Sequence, residues 1–291
     1  MDFTSIDVET ANPDLSSICQ IGIVQFRDNA IAHRWKSYVR PDGYFDPMNV
    51  SIHGITESDV ADAPNFSEVS SELDGYLTSS IVCHHTSFDR TAIHAAYARN
   101  DIAVPSVDWL DTARVVRRTW PERSRSGYGL GPVAEMLGIE FTHHDAEEDA
   151  RVAGEILIHA ISKSGVPLAD WPTKGTRPIT SSKADSSGRE TRDGNPEGPL
   201  YGETVVFTGA LSMLRRDASD LAAAAGCDVG GNVTKSTTLL VVGDQDVAVL
   251  AGHTKSSKHR KAEANIAKGQ PIRILRESDF ELLISTVAKD R

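Results

Sequence analysis

The chain has 291 residues, an ordinary globular composition and a formal net charge of −11, and it is long enough for two domains with separate cores. Its apolar runs fall short of the ~18 residues of a membrane span, and no charged-then-apolar signal pattern opens it. Its cysteines, Cys19, Cys83 and Cys227, are too few and too far apart for a disulfide framework or a zinc signature. We therefore expect a cytoplasmic protein.

The negative charge is concentrated in the first part of the chain. Residues 1–162 carry 12 Lys/Arg and 25 Asp/Glu, whereas residues 199–291 carry 12 and 11. Such an acidic segment disfavours long-range, non-specific attraction to nucleic acid. It is compatible with a nucleic-acid site in which bound cations supply the positive charge.

The first predicted strand spans residues 2–10 and carries two acids. Because side chains alternate along a strand, Asp7 and Glu9 lie on one face, two residues apart. Two such carboxylates repel each other unless a cation lies between them, and Mg²⁺ takes oxygen ligands. The alternative is an acidic strand end in water.

The next segments predict an antiparallel meander followed by alternating helices and strands. Apolar alternation and helical spacing predict strands over 18–26, 32–39, 81–83 and 107–110, and helices over 66–77, 88–99, 112–118 and 130–137. Ser87 is a plausible N-cap for the helix over 88–99, which places Asp89 in its first turn.

A longer helix is predicted from Ala146 to about Ile161. Asp145 followed three residues later by Glu148 resembles a capping box. His144 then lies just outside the helix, whereas Asp149 projects from its second turn. Both side chains can therefore face one site.

Residues 163–198 are rich in Ser, Thr, Gly and Pro, and we predict a flexible linker there. Beyond it, strands alternate with helices, which predicts a small parallel sheet in a second domain over 199–291. The predicted strands cover 204–207, 228–229, 238–242 and 272–275, and the helices cover 215–225, 258–268 and 277–287.

Three segments together resemble the motifs of the DEDD exonuclease superfamily, histidine subclass, which includes the proofreading epsilon subunit of bacterial DNA polymerase III. They are Asp7-Val8-Glu9-Thr10, Ser87-Phe88-Asp89 and His144-x4-Asp149, and the resemblance covers residues 1–162. It implies an RNase H-like α/β domain with a mixed sheet that hydrolyses phosphodiester bonds 3′→5′ with two Mg²⁺ or Mn²⁺ ions.

The same resemblance implies a role for each residue. Asp7 would bridge both ions, Glu9 and Asp149 would bind the metal on the nucleophile side, and Asp89 would hold the second metal through water. His144 would accept the proton of the attacking water. The terminal nucleotide would contact Thr10, His53, Gly54, Ile55, His85 and Phe88. His85 departs from the family pattern, which usually has Asn there.

Two further groups of residues allow more than one interpretation. His143 is either a solvated neighbour of His144 or a ligand. Arginines cluster at 114–125 and form either a solvated helix face or a contact to the phosphate backbone. The members of this cluster are Arg114, Arg117, Arg118, Arg123 and Arg125.

The second domain resembles a BRCT domain of the type found in NAD-dependent DNA ligases. The residues that carry this likeness are Val205-Val206-Phe207-Thr208-Gly209, Arg215-Arg216, Gly226, Thr237–Val241 and Lys258-x2-Lys261-Ala262. The resemblance implies a phosphate site at Thr208, Gly209 and Lys261, with Arg216 as a further candidate. The alternative is a domain that docks without phosphate.

These observations favour a DNA 3′→5′ exonuclease whose BRCT domain targets it to a phosphorylated DNA end or to a phosphoprotein partner in replication or repair. Two alternatives remain, an RNA exonuclease of the same fold and a phosphopeptide-binding scaffold with an unused nuclease site.

Overall fold

The structure is a computed structural model that describes residues 1–122, 128–176, 191–196, 198–209, 211–243 and 256–288. The chain divides into two compact units, Met1–Thr176 and Arg177–Arg291. None of the helices within those ranges is long and apolar enough to cross a membrane.

The first unit is built on a five-stranded mixed sheet of order β3-β2-β1-β4-β5. The first three strands pair antiparallel, which confirms the predicted meander, whereas β4 pairs parallel to β1 and β5 parallel to β4. The strands are β1 Phe3–Thr10, β2 Ile18–Arg27, β3 Ala30–Tyr38, β4 Val82–His84 and β5 Trp109–Asp111.

Helices flank this sheet. Their bounds are α1 Pro47–His53, α2 Phe66–Leu77, α3 Phe88–Arg99, α4 Thr112–Thr119, α5 Leu130–Leu137, α6 Ala146–Ser164 and α7 Trp171–Thr176. The long helix α6 packs across β1 and β2 with an apolar stripe that includes Val152, Ile156 and Leu157, all fully buried. Because β1, β4 and β5 are parallel, their carboxyl ends lie at one sheet edge, where α3 and α4 begin.

Helices α1 and α7 were not predicted from the sequence. Helix α1 begins at Pro47 after Asp46, whose side chain accepts a hydrogen bond from the backbone N–H of Met48. Gly54 ends it with a φ of 75°. An Asp N-cap, a Pro at the first position and a closing Gly are ordinary helix signals, but seven residues with none buried give no apolar periodicity to support them.

Both ends of the predicted linker, residues 163–198, carry structure. At the near end, α7 packs against α4 and β5, and Trp171 is 1% exposed. At the far end, Arg192 forms a bridge with Val229 through two backbone hydrogen bonds. A buried aromatic ring and a backbone bridge thus hold two segments whose composition is otherwise linker-like. Residues 177–190 lie outside the described part of the chain.

The second unit contains a four-stranded, all-parallel sheet of order β7-β6-β8-β9, as the alternation of strands and helices predicted. Its strands are β6 Thr204–Thr208, β7 Asp228–Gly230, β8 Leu239–Val242 and β9 Arg273–Arg276, and its helices are α8 Arg215–Ala225, α9 Ser257–Ile266 and α10 Glu277–Ala288. The central strands β6 and β8 are buried almost throughout, as expected for a parallel sheet covered on both faces.

Candidate active site

Each of the two acids of β1 lies directly opposite a residue of β2. Asp7 lies opposite Gly22, and Glu9 lies opposite Gln20. Directly opposed residues share a face of the sheet, so all four lie on the face against which α6 packs. Asp7 is 8% exposed, which keeps its carboxylate away from most of the solvent.

Helix α6 begins directly over these residues. A Cβ on Gly22 would lie 2.1 Å from the backbone carbon of Ala146, so only glycine allows this approach. The side-chain oxygen of Gln20 accepts a hydrogen bond from the Ala146 N–H at 2.9 Å, which satisfies one of the donors that a helix start leaves open. Gly22 and Gln20 therefore dock the start of α6 beside the two acids, a role that was not predicted.

The start of α6 orients the remaining motif residues. Asp145 is the N-cap, as predicted, and accepts from the N–H groups of Glu147 and Glu148. The Glu148 carboxylate accepts instead from Arg34 and Arg151, so the predicted capping box is formed only on its Asp145 side. His144 has a φ of 64°, a left-handed conformation that histidine adopts more readily than most residues. Its backbone N–H donates to Asp149 Oδ2 at 3.2 Å.

These elements bring three carboxylates together. Asp7, Glu9 and Asp149 each offer an oxygen, and the three oxygens lie within 4.8 Å of one another. His144 joins them, with its Nδ1 3.9 Å from Glu9 Oε1. Three carboxylates at this spacing repel one another, and a divalent cation with oxygen ligands would neutralise that repulsion. The donor set therefore fits a hard metal ion.

The fourth predicted acid lies beside this cluster. Asp89 is fully buried in the first turn of α3, and its Oδ1 lies 3.4 Å from the backbone N–H of Val8, the residue between Asp7 and Glu9. Ser87 occupies the predicted N-cap position without a side-chain capping bond. The preceding residue, Thr86, has a φ of 74°, an uncommon conformation for a β-branched residue.

His143 contacts two neighbouring side chains, although its own side chain is 45% exposed. Its ring packs against that of Phe141, with centroids 4.2 Å apart and planes tilted by 50°, and its Nδ1 lies 3.8 Å from Asp149 Oδ1. Burial lowers the pKa of His143, which favours the neutral imidazole.

The loop predicted to hold a nucleotide is anchored to the end of β1. His53 Nδ1 accepts from the N–H of Ile55 at 3.0 Å, so its Nε2 carries the proton donated to the carbonyl oxygen of Thr10 at 3.2 Å. Burial lowers the pKa of His53. Asn49, which the sequence analysis missed, donates to the same carbonyl. The side chain of Ile55 packs in a buried cluster with Ala11, Cys19 and Val60.

His85, where the family pattern usually has Asn, is buried. Its Nδ1 lies 2.7 Å from Thr112 Oγ1 and its Nε2 lies 2.8 Å from the carbonyl oxygen of Tyr128. The ring therefore ties the turn after β4 to the start of α4 and to the segment before α5. Phe88, the next predicted nucleotide contact, is half-buried at the start of α3.

The predicted arginine cluster is partly internal. Arg117 is 5% exposed, and burial lowers its pKa to about 10. Arg114 lies 3.9 Å from the carboxylate of Asp111, and Arg118 donates to the carbonyl oxygen of Arg114. The other two members, Arg123 and Arg125, lie outside the described residues.

In the second unit, the residues that meet at the end of β6 differ partly from those predicted. Thr208 Oγ1 lies 2.7 Å from Ser256 Oγ, and Gly209 has a φ of 78°. Lys258 donates to the carbonyl oxygen of Phe207 at 3.1 Å, and Arg215 donates to that of Gly209 at 2.6 Å.

The two predicted cations lie on the solvent side. Arg216 is 82% exposed and pairs with Asp220, and Lys261 is exposed on α9. Among the described residues, Lys258 and Arg215, one helical turn and one residue away from them, are the basic side chains that donate hydrogen bonds to backbone carbonyls at this turn.

Comparisons with known proteins agree with this architecture. A family profile described as Exonuclease (RNase_T) matches residues 4–157, more than half of the chain, and a profile of the BRCA1 C Terminus (BRCT) domain matches residues 195–279. DNA polymerase III PolC-type of Thermotoga petrophila is 29% identical over 167 residues, or 55% of this chain. The 3′-5′ exonuclease DinG of Staphylococcus epidermidis is 28% identical over 165 residues, also 55% of this chain. The matched regions cover 12% and 18% of those two relatives.

Solved structures share the RNase H-like fold. A 3′-exonuclease with 3′-end specific recognition of histone mRNA stem-loop aligns over 56% of this chain and 82% of its own, at 18% identity and a TM-score of 0.51. Exonuclease I aligns over 60% of this chain and 44% of its own, at 16% identity and a TM-score of 0.52. By its sequence match and its fold, the chain belongs to the exonuclease family and carries a BRCT domain in its second unit.

Proposed function

We propose that the chain is a divalent-metal-dependent 3′→5′ exonuclease of the DEDD superfamily, histidine subclass, and that it hydrolyses DNA in the cytoplasm during replication or repair. The observation that carries this proposal is the convergence of Asp7, Glu9 and Asp149, with their oxygens within 4.8 Å of one another and His144 beside Glu9.

Asp7, Glu9 and Asp149 would hold the metal ions, and Asp89 would bind the second ion through water. Mg²⁺ and Mn²⁺ are the candidates, because carboxylate oxygens suit both. Two such ions stabilise the attacking and the leaving oxygens of an in-line displacement. Burial of Asp7 and Asp149, 8% and 6% exposed, keeps these carboxylates in fixed positions with little solvent around them.

His144 would accept the proton of the attacking water. Its left-handed backbone and its N–H bond to Asp149 place the imidazole next to the carboxylates while leaving its side chain 34% exposed. An imidazole at the solvent boundary can pass the proton on to bulk water.

The 3′-terminal nucleotide would bind at the carboxyl end of β1. Thr10, His53, Gly54 and Phe88 are the candidate contacts. His85 and the side chain of Ile55, both buried in other contacts, would act by shaping this pocket.

The BRCT domain, of the ligase type, would hold a phosphate at Thr208, Gly209 and Lys258, and thereby concentrate the nuclease at a 5′-phosphorylated DNA end. A backbone turn beside hydroxyl and ammonium groups suits an anion. Buried Nη1 of Arg215, which has no hydrogen-bond partner among the described residues, is a further donor near this turn.

One assay tests the nuclease proposal. The full chain is incubated with 5′-labelled single-stranded DNA, duplex DNA and RNA, each with Mg²⁺ and with EDTA. We expect stepwise shortening from the 3′ end of DNA with Mg²⁺ alone. Asp7→Asn should remove nearly all of this activity without unfolding the protein. Asp62 is an exposed acid outside the carboxylate cluster, so Asp62→Asn is the matched control and should be as active as the wild type.

Preferred degradation of RNA would favour the RNA exonuclease. Absence of degradation of all three substrates by a folded protein would contradict a nuclease and favour the phosphopeptide-binding scaffold.

A second assay tests the phosphate site. Lys258→Ala should weaken binding of the full chain to a 5′-phosphorylated duplex and reduce its salt dependence, because a phosphate contact is lost. Lys261→Ala is the matched control on the same helix. Equal affinity of the wild-type protein for 5′-phosphate and 5′-hydroxyl duplexes would rule out recognition of the DNA end and favour a phosphoprotein or a docking contact.

A further inference from the structure

A second group of possible metal ligands adjoins the carboxylate cluster. His143, His144 and Asp149 each offer a ligand atom, and these three atoms lie within 4.8 Å of one another. His143 Nδ1 and Asp149 Oδ1 lie 3.8 Å apart. This group offers two imidazole nitrogens and one oxygen, whereas Asp7, Glu9 and Asp149 offer oxygens alone.

We propose that His143, His144 and Asp149 form a regulatory site for a transition-metal ion of the Zn²⁺ type. Zinc binds imidazole nitrogen and carboxylate oxygen at ~2.0–2.2 Å in tetrahedral geometry and accepts three protein ligands with water in the fourth position. Such a tetrahedron places ligand atoms ~3.4 Å apart, so the 3.8 Å pair needs only a small side-chain rotation. Mg²⁺ does not compete well for this group, because it prefers oxygen ligands.

The ring of His143 is held in the orientation that this site requires. A Cβ on Gly131 would lie 2.5 Å from His143 Nε2, so the absence of a side chain at 131 makes room for the imidazole. The ring of Phe141 also packs against the imidazole, with centroids 4.2 Å apart. With Nε2 turned toward α5, Nδ1 faces Asp149. The side chain of His143 is 45% exposed, which leaves an entry path for an ion.

Occupancy of this site conflicts with the proposed catalysis. Asp149 belongs to both ligand groups, so one ion at His143 and His144 withdraws a carboxylate from the oxygen cluster. The same ion engages His144, the proposed proton acceptor. Zn²⁺ in excess of the amount needed to fill the site therefore inhibits the nuclease even when Mg²⁺ is abundant, and a chelator selective for zinc restores it.

The binding test uses Co²⁺ as a coloured substitute for Zn²⁺ in the full chain with Mg²⁺ present. We expect a visible absorption band typical of tetrahedral nitrogen-ligated cobalt, which Zn²⁺ displaces. His143→Gln should weaken Co²⁺ binding by at least ~10-fold, because one ligand is lost. Gly131→Ala should weaken it too, because the new methyl group displaces the ring. His159→Gln, on the exposed side of α6, is the matched control and should bind like the wild type.

The inhibition test compares, for each protein, the nuclease rate with and without micromolar Zn²⁺ at constant Mg²⁺. This test rests on the proposed nuclease activity, whereas the absorption test does not. A wild-type protein without the band, or a His143→Gln protein that retains it, would overturn the metal site. A wild-type nuclease that binds Co²⁺ at this site but keeps its rate in Zn²⁺ would overturn the regulatory role. A wild-type protein that shows the Co²⁺ absorption band but has no Mg²⁺-dependent nuclease activity would contradict the nuclease proposal alone.

Discussion

Gly22 offers the sharpest test of how the site is assembled. Substituting alanine would place a Cβ 2.1 Å from the backbone carbon of Ala146 and 2.2 Å from the nitrogen of Glu147. An ordinary van der Waals contact begins at 3.4 Å, so relief requires a shift of about 1.3 Å between β2 and the start of α6. Backbone atoms, unlike the end of a side chain, cannot rotate away. The shift therefore moves Asp149 and His144 relative to Asp7 and Glu9.

The expected consequences follow from that distance. A displacement of ~1 Å at a catalytic group costs ~10²-fold in rate, and overpacking of a closely packed site costs ~1–3 kcal/mol of unfolding free energy. We expect Gly22→Ala to lower the rate of Mg²⁺-dependent degradation of a labelled oligonucleotide by ~10²-fold. We expect it to lower the free energy of unfolding, measured by urea denaturation, by ~1–3 kcal/mol. The rate should fall far more than the stability loss explains at temperatures where the variant is folded.

Gly75→Ala is the matched control for this experiment. Gly75 lies inside α2, and a Cβ there would have no atom within 4 Å. Alanine is favoured over glycine inside a helix by ~1 kcal/mol, so this variant should be as active as the wild type and equally or more stable. A Gly22→Ala protein with wild-type rate and wild-type stability would refute the docking role of Gly22.

Three further predictions concern single residues. If His144 accepts the proton, His144→Ala should lower the rate by ~10²–10⁴ with Mn²⁺ binding retained by calorimetry, and an acid limb of the rate profile that survives the substitution would assign the proton to another group. Burial lowers the pKa of His53, so the unfolded chain binds a proton at this residue more readily than the folded protein does. The contribution of His53 to the free energy of unfolding is therefore complete above the unfolded pKa of ~6.5 and falls as the pH drops below it. Thermal melts from pH 8 to pH 5 should show this decline, and a His53→Gln protein with the same decline would show that other groups cause it. Trp171 is 1% exposed, so Trp171→Ala should destabilise the first unit by ~3–5 kcal/mol, and an unchanged urea midpoint would mean that α7 is not part of its core.

The local geometry of the candidate site could be predicted because it depends on short sequence patterns. Alternation along β1 places Asp7 and Glu9 on one face, and the N-cap at Asp145 leaves His144 outside the helix from which Asp149 projects. Both relations are fixed within a few residues of chain, and the structure has both. Whether these segments meet is a different question, because it depends on packing between strands and helices that are distant in sequence.

Basic residues that lie one helical turn or one residue apart were harder to assign to the end of β6. Lys258 and Lys261 are separated by three residues and so lie near each other on one side of α9, and Arg215 and Arg216 are adjacent. Sequence spacing alone cannot decide which member of each pair reaches the end of β6. Helix α7 was missed for another reason. Its segment has the composition of a linker, and Trp171 is the one buried side chain among the four residues of α7 whose burial is described.

The docking of α6 was beyond sequence reasoning because Gly22 and Gln20 resemble ordinary strand residues. Their importance comes from register, since each lies opposite one of the two acids. A slip of one residue between β1 and β2 would turn Gly22 and Gln20 to the other face, and branched residues such as Ile21 and Ile23 would lie beneath the start of α6. The helix could then neither approach Gly22 nor donate its first N–H to Gln20. The register that pairs Asp7 with Gly22 therefore also determines the distance from these acids to Asp149 and His144.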